Sequence, residues 1–299
     1  VQRRCLHNRL SNVLTQLNSP PANTMTNIIP KHIHINPQSK GSLGKSFEAE
    51  FRTAWLDYHG ITWDGSDLDD RHHSFKDRHP TQVQSYTLGN DDDSKSTLLG
   101  LFRNVSRSDA SVHVIDCRAQ ADGLIVQALD SLQLLASLAA QGIRFTFFLF
   151  PSEDTESMNN LLDLFFYAGD RVNYVIVHNP AKVRTNLFRN SKIEAELKRF
   201  GAKEITLPVV TSITLLAIKR AEAKAGRKLS FAEVATPGAP HLELMLAGEM
   251  QWAMQQMFRQ YDAIADLLVP AEQMPDIASQ PEPKAKLAQP KQPMFNLGE

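Results

Sequence analysis

The stretch from Asn36 to Phe51 reads NPQSKGSLGKSFEAEF, and its interpretation decides the fold. A phosphate-binding loop has the pattern G-x-x-x-x-G-K-[ST]. Gly44, Lys45 and Ser46 supply its second half, while Ser39 stands where the first glycine belongs. The surroundings are those of such a loop. The run His32 to Ile35, HIHI, reads as a strand leading into it. Behind it, Phe47, Phe51, Ala54, Trp55 and Tyr58 recur at helical spacing until Gly60 ends the helix. In the order strand, loop, helix, backbone N–H groups and the helix N-terminus face an anion. Lys45 then reaches the β- and γ-phosphates of a nucleotide, and the Ser46 hydroxyl ligates Mg2+. The competing reading is an ordinary strand-to-helix turn, its glycines serving only turn geometry.

Outward from the loop, short apolar runs alternate with amphipathic ones. GITWDGSD is a second strand and Ser111 to Asp116, SVHVID, a third. LIVQALDSLQLLASLAAQG predicts one long helix closed by Gly142. RFTFFLF and VNYVIVHNP are apolar throughout, as strands buried on both faces are. TESMNNLLDLFFYAG and SKIEAELKRFG predict helices, AKEITLPVV a sixth strand, and Thr211 to Leu268 further helices. Alternation of this kind implies right-handed crossovers and an α/β fold, a doubly wound, mostly parallel sheet with helices on both faces. Ligands of such sheets sit beyond the carboxyl ends of the strands. The expected organisation is a disordered N-terminal extension over 1–28, one domain over 29–268 and a disordered Pro/Gln-rich tail over 269–299.

The bulk composition excludes several classes. At 42% hydrophobic and 22% charged residues, the 299-residue chain can bury a sizeable core. A net charge of −1 gives no global attraction to nucleic acid or a membrane surface, so such binding needs a local patch. Two cysteines, Cys5 and Cys117, are too few for a disulfide scaffold or a zinc pattern, which points to a reducing, cytoplasmic setting. No apolar run is long enough to cross a membrane. The first 24 residues are basic without an apolar centre, unlike a secretory signal.

Lys40, five positions before Lys45, carries a more specific signal. Lys40-Gly41-Ser42-Leu43-Gly44-Lys45-Ser46 resembles the deviant loop K-G-G-x-G-K-[ST] of the ParA/MinD-type P-loop ATPases. That family often lacks the first glycine of the general pattern. The resemblance implies a SIMIBI-like P-loop fold, ATP and Mg2+ as cofactors, and an ATP-dependent homodimer in which Lys40 acts catalytically on the other subunit's nucleotide. It places Gly41 to Ser46 and Phe47 around the phosphates. Ser42 departs from the family's second glycine, and Phe47 from its second hydroxyl residue.

Further motifs follow in family order. Asp67-Leu68-Asp69 resembles the D-x-D element after the second strand. By that likeness Asp69 positions or activates the attacking water, Asp67 lies near the Mg2+ shell, and Asp70-Arg71 depart from the usual Pro-Gln. Asp116, ending an apolar strand, resembles the Walker B aspartate and would hold a Mg2+-bound water. Asn179 stands where relatives read the adenine, and Pro208 where a late strand ends beside the base. The motifs run from Lys31 to Val210, more than half of the chain. The function implied is a slowly hydrolysing ATP-driven dimerisation switch in plasmid partition, stability or conjugative transfer, with a plasmid-encoded DNA-binding adaptor and non-specific DNA as further partners and no membrane anchor.

Two alternatives stay open: a nucleotide-binding scaffold with little hydrolysis, and a synthetase or kinase on the same fold. The histidines His72, His73 and His79 form no metal spacing. Asp91 to Asp93 read as a solvated loop, and Cys117 as a packed thiol. The basic run Ile218 to Lys228 reads as a solvated helix face or a DNA-touching patch. Glu243 to Leu268 has apolar residues at helical spacing and is expected to pack on the core or across a dimer.

Overall fold

The computed structural model describes residues 30–276, apart from 39, 70–72, 90, 119–121, 185–186, 237 and 239–240. Ser39, Asp70, Arg71, His72, Cys5, the expected disordered extension (1–28) and residues 277–299 of the expected 269–299 tail therefore lie outside the described residues.

Seven strands form one sheet, all parallel, in the order β3-β2-β4-β1-β5-β6-β7. They are β1 (Lys31–Ile35), β2 (Trp63–Asp67), β3 (Val83–Ser85), β4 (Val112–Asp116), β5 (Ile143–Leu149), β6 (Asn173–His178) and β7 (Lys203–Thr206). The helices are α1 (Lys45–Tyr58), α2 (Ser74–Arg78), α3 (Asp91–Arg107), α4 (Asp122–Ser131), α5 (Leu134–Ala139), α6 (Thr155–Ala168), α7 (Lys192–Arg199), α8 (Ser212–Ala225), α9 (Phe231–Ala235) and α10 (Leu244–Asp262). This is an α/β architecture, one parallel sheet with helices packed on both faces. β1 lies at the centre, between β4 and β5, and the strand order reverses around it. Its carboxyl end therefore opens on the crevice where such sheets bind ligands.

Period-two alternation gives the inner strands two buried faces. On one, Ile33, Ile35, Phe145, Phe147 and Leu149 pack against apolar stripes of α3 to α7. On the other, Val112, Val114, Phe148, Val175 and Val177 meet α1, α2 and α8 to α10. The two histidines of β1 sit on that second face. His34 Nε2 donates to the Leu268 carbonyl at 2.7 Å, and His32 Nδ1 is 3.2 Å from the Leu267 carbonyl. These bonds seat the chain beyond α10 on the sheet. Val269 is accordingly buried and Ala271–Gln273 forms a 3-10 turn, so order continues past the expected tail boundary at residue 269.

Other elements also depart from the sequence reading. The single helix expected over Leu124 to Gly142 is broken at Gln133, whose φ is 48°. Ile125, Ala128 and Leu129 bury one phase of the helix, whereas Leu134, Leu135 and Leu138 bury another. The break re-phases the stripe so that both halves face the core. Asp91 to Asp93 are not loop but the first turn of α3, a position that favours carboxylates. α3 buries Leu98, Leu101, Phe102 and Val105 at helical spacing. β3, three residues long, is an edge strand that the sequence reading missed. α10 packs Met250, Ala253, Met257 and Tyr261 into the core, which settles its core-facing side, while Leu244, Met245 and Trp252 stay exposed.

Candidate functional site

Past β1 the chain stays buried through Asn36, Pro37 and Gln38, then surfaces at Lys40, Gly41 and Ser42 before α1. Two residues set the turn. Gly44 has φ 99° and Ser42 φ 61°, the latter a left-handed conformation that glycine adopts freely and serine does not. The resemblance's second glycine thus has a conformational reason here, although serine fills the place. Ser42→Gly is expected to stabilise the fold by about 0.5–1 kcal/mol, strain relief offset by glycine's entropy when unfolded. A thermal melt should rise by about 1–4 °C, and a lowered Tm would show that Ser42 is unstrained.

Gly44 is also the N-cap of α1 and carries no side chain to cap it. The first-turn N–H groups of a helix have no partners within the helix, so this end of α1 is free of the side chain that normally competes with an anion. Beside it, Asn179 at the end of β6 donates from Nδ2 to the Leu43 carbonyl at 2.8 Å and accepts at Oδ1 from Ala181 N. A Cβ on Gly44 would lie 2.5 Å from Asn179 Nδ2 and 3.4 Å from Leu207. The structure thus brings Asn179 and the β7 end, with half-buried Pro208, up to the loop. Both ends of the Asn179 amide are engaged inside the protein.

The two lysines differ. Lys45 is 7% exposed and its Nζ curls back over its own loop, 2.5 Å from the Gln38 carbonyl and 3.3 Å from that of Lys40. Lys40 is exposed, and its Nζ lies 3.4 Å from Asp154 Oδ2. Asp154 caps α6 by accepting from Ser157 N at 3.2 Å. That bond, then Lys40, holds its carboxyl below the ordinary range.

The carboxylates meet at the neighbouring strand ends. Asp116, on β4, is buried, accepts from Asn36 Nδ2 at 3.0 Å and has the Ser46 hydroxyl beside it. Burial pushes its carboxyl up, opposed by Ser46, by Asn36 and by the charges of Lys45 and Arg52. Asp67 pairs with Asp116 in the β2–β4 register. Its oxygens accept from Asp69 N at 2.9 Å and Lys76 N at 3.0 Å. Burial raises its carboxyl to about 6 despite those two bonds, with Asp116 adding to the rise. Asp69 follows at the rim, partly buried.

Hydroxyl and carboxylate oxygens are the donors Mg2+ takes, usually one or two from protein together with substrate phosphates. Ser46, Asp116 and Asp67 supply that set beside the loop, and the residues present therefore fit a nucleotide-borne Mg2+. Of the histidines noted in the sequence, His79 is turned to Glu50 at 3.2 Å, and among the described residues no group of three or more His, Cys, Asp or Glu could hold a metal ion. Phe47 points away from the loop, its ring on Phe51 and Phe231 at 5.1 and 5.0 Å, so only its backbone is left for phosphates. Cys117 is buried, and burial raises its thiol far above the ordinary range. In the basic run, Arg227 pairs with Glu233 and Lys228 with Glu222, while Lys219, Arg220 and Lys224 are exposed.

Several residues here were missed by the sequence reading. Gln38 grips β5 with both ends of its amide, 2.6 Å to the Phe150 carbonyl and 2.7 Å from Phe150 N. Behind the loop, Glu48 and Arg52 of α1 form a fully buried ion pair at 2.8 Å. Tyr261 donates to Glu48 at 2.8 Å, and the Arg52 guanidinium lies 3.8 Å over the Phe148 ring. These contacts tie the loop helix to α10 and β5. Their signal was local only for Glu48 and Arg52, one helical turn apart.

No protein-family model matches the chain and no curated protein matches it in sequence. Among solved structures it is similar to the MinD cell division protein of Aquifex aeolicus, at 12% identity and a TM-score of 0.39 over 75% of this chain and 97% of that one. It is similar to the signal recognition particle receptor FtsY from Elizabethkingia anophelis, at 12% identity and a TM-score of 0.41 over 81% of this chain and 68% of that one. A third, FlhF complexed with GTP/Mg(2+), has 11% identity and a TM-score of 0.30 over 67% and 81%. Likeness at this level concerns the course of the chain and says nothing of individual residues.

Proposed function

We propose that the chain is a Mg2+-dependent ATP-binding switch that hydrolyses ATP slowly and dimerises around it. One observation carries the reading. The loop Lys40 to Ser46 joins the central strand to α1 and sets the Ser46 hydroxyl beside Asp116 at the end of the adjacent strand. That is the arrangement in which a Ser hydroxyl and a strand-end carboxylate share one cation. Lys45 swings from the Gln38 carbonyl to the β- and γ-phosphates. The N–H groups of Gly41 to Phe47 face the phosphates. Ser46 and Asp116 hold Mg2+ and its waters, with Asp67 next to them. Mg2+ supplies neutralisation of charge developing on the transferred phosphoryl oxygens. Asp69 orients the water, and Asn179 and Pro208 border the base.

Lys40 has the role of contacting the nucleotide of a second subunit. Among the described residues of its own chain, its ammonium is held only by an exposed pair with Asp154, with side-chain exposures of 45% and 40%, and pairs of that kind contribute little. Releasing it is therefore cheap beside a new contact to a triphosphate. The cellular task that goes with such a switch is plasmid partition, stability or transfer in the cytoplasm, with a DNA-binding adaptor. Lys219, Arg220 and Lys224 are the exposed cations available to non-specific DNA.

Sedimentation with a slowly hydrolysed ATP analogue tests the switch. Lys40→Ala is expected to bind nucleotide as a monomer, because Lys45, Ser46 and the loop backbone remain. The nucleotide-dependent dimer is expected to disappear. A Lys40→Ala protein that dimerises as well as the unmodified chain refutes the dimer mechanism while leaving nucleotide binding untouched.

A further inference from the structure

β1 ends at Ile35, yet the chain stays wedged between the carboxyl ends of β4 and β5 for three more residues. Pro37 offers no N–H there, and side-chain amides take over on either side. Gln38 grips Phe150 of the β5 side, as described. Asn36 grips the other, with both ends used: Nδ2 donates to Asp116 Oδ1 at 3.0 Å, and Oδ1 accepts from Cys117 N at 2.8 Å. Asn36 is wholly buried and Asp116 nearly so.

The two bonds fix the amide's orientation. Cys117 N can only donate, so it requires the amide oxygen. The NH2 group must then face Asp116. The reverse orientation sets oxygen against carboxylate and NH2 against N–H. Asn36 thus holds one carboxylate oxygen from the side of the sheet, with the Ser46 hydroxyl beside the carboxylate. A carboxylate held in this way has its rotamer chosen before any cation arrives. Groups that hydrogen-bond a metal's carboxylate in this way orient it, and losing one typically costs 10–100-fold in metal affinity.

We propose that Asn36 is a positioning residue for the cation: it locks Asp116 in the rotamer that receives Mg2+, and so sets metal affinity without touching the nucleotide. The inference rests on the reading of Ser46 and Asp116 as the Mg2+ site. Asn36→Asp separates the two bonds. Its carboxylate still accepts from Cys117 N, so the strand clamp survives, but it sets negative charge against Asp116 where a donor stood. Asn36→Ala removes both bonds without adding charge.

The experiment is a fluorescence titration of a fluorescent ATP analogue, with EDTA and then with Mg2+ titrated in, on the full chain and both variants. Thermal melts run alongside to establish that each variant is folded. For both variants the Mg2+ concentration at half-effect is expected to rise about 10- to 100-fold, while affinity in EDTA stays within about twofold. In an Asp116→Asn background, Asn36→Asp should add nothing to the Mg2+ requirement, since contacting residues couple. The positioning role is overturned if Asn36→Asp keeps the Mg2+ dependence of the unmodified chain, or if both variants weaken binding equally with and without Mg2+. An unmodified chain that binds no nucleotide overturns the site reading itself, a result distinct from either.

Discussion

Lys45→Ala is expected to weaken Mg2+–ATP binding by about 30- to 1,000-fold, equivalent to about 2–4 kcal/mol for a charge-assisted phosphate contact. The fold should scarcely notice. In the structure the ammonium rests on the carbonyls of Gln38 and Lys40, contacts within its own loop rather than to the core. Each is worth about 1 kcal/mol net. Thermal melting within about 8 °C of the unmodified chain, with affinity lost by calorimetry, is the expected pair of results. A variant that melts normally and binds ATP as before shows that Lys45 does not meet phosphate.

Gly44→Ala should fail on geometry rather than charge. Its φ of 99° lies where side chains are strained, and the new Cβ would stand 2.5 Å from Asn179 Nδ2. Backbone strain of this sort costs about 1–3 kcal/mol. Displacing Asn179 adds the loss of its bond to the Leu43 carbonyl, about 1 kcal/mol. A destabilisation of about 2–4 kcal/mol follows, seen as a Tm lowered by about 4–16 °C. Asn179→Ala in the same chain should restore part of it, because the two residues collide directly and their effects do not add. Full additivity of the two changes contradicts the close approach.

The centre of the fold was legible because its signals are local. A strand, a Gly-Lys-Ser turn and an amphipathic helix occupy one continuous stretch, and Asp116 ends an apolar strand. What stayed hidden depends on partners distant in sequence. Asn36 and Gln38 lie within the very stretch that opens the reading, but their partners are 80 and 112 residues away. Glu48 and Arg52 look like a solvated pair one turn apart. Only the packing of Tyr261 and Phe148 makes them a buried one. The aspartates 91–93 masked a helix whose apolar stripe, Leu98 to Val105, was regular. Conversely, the apolar residues of Leu124 to Gly142 suggested one helix because the stripe's change of phase at Gln133 is subtle. Lys40's pairing with Asp154, at the cap of a helix built 114 residues later, was equally beyond local reading.

The central claim is that the loop between β1 and α1 binds a nucleotide with Mg2+, the cation held by Ser46 and Asp116. Calorimetric titration of the full chain with ATP and with GTP, each with Mg2+ and with EDTA, tests it most directly. Saturable binding of ATP at one site per chain, tightened by Mg2+ and stronger than that of GTP, is the predicted result. Binding of GTP in preference to ATP would overturn the choice of nucleotide alone. No binding of either nucleotide, with Mg2+ present and the chain folded, would contradict the account at its root.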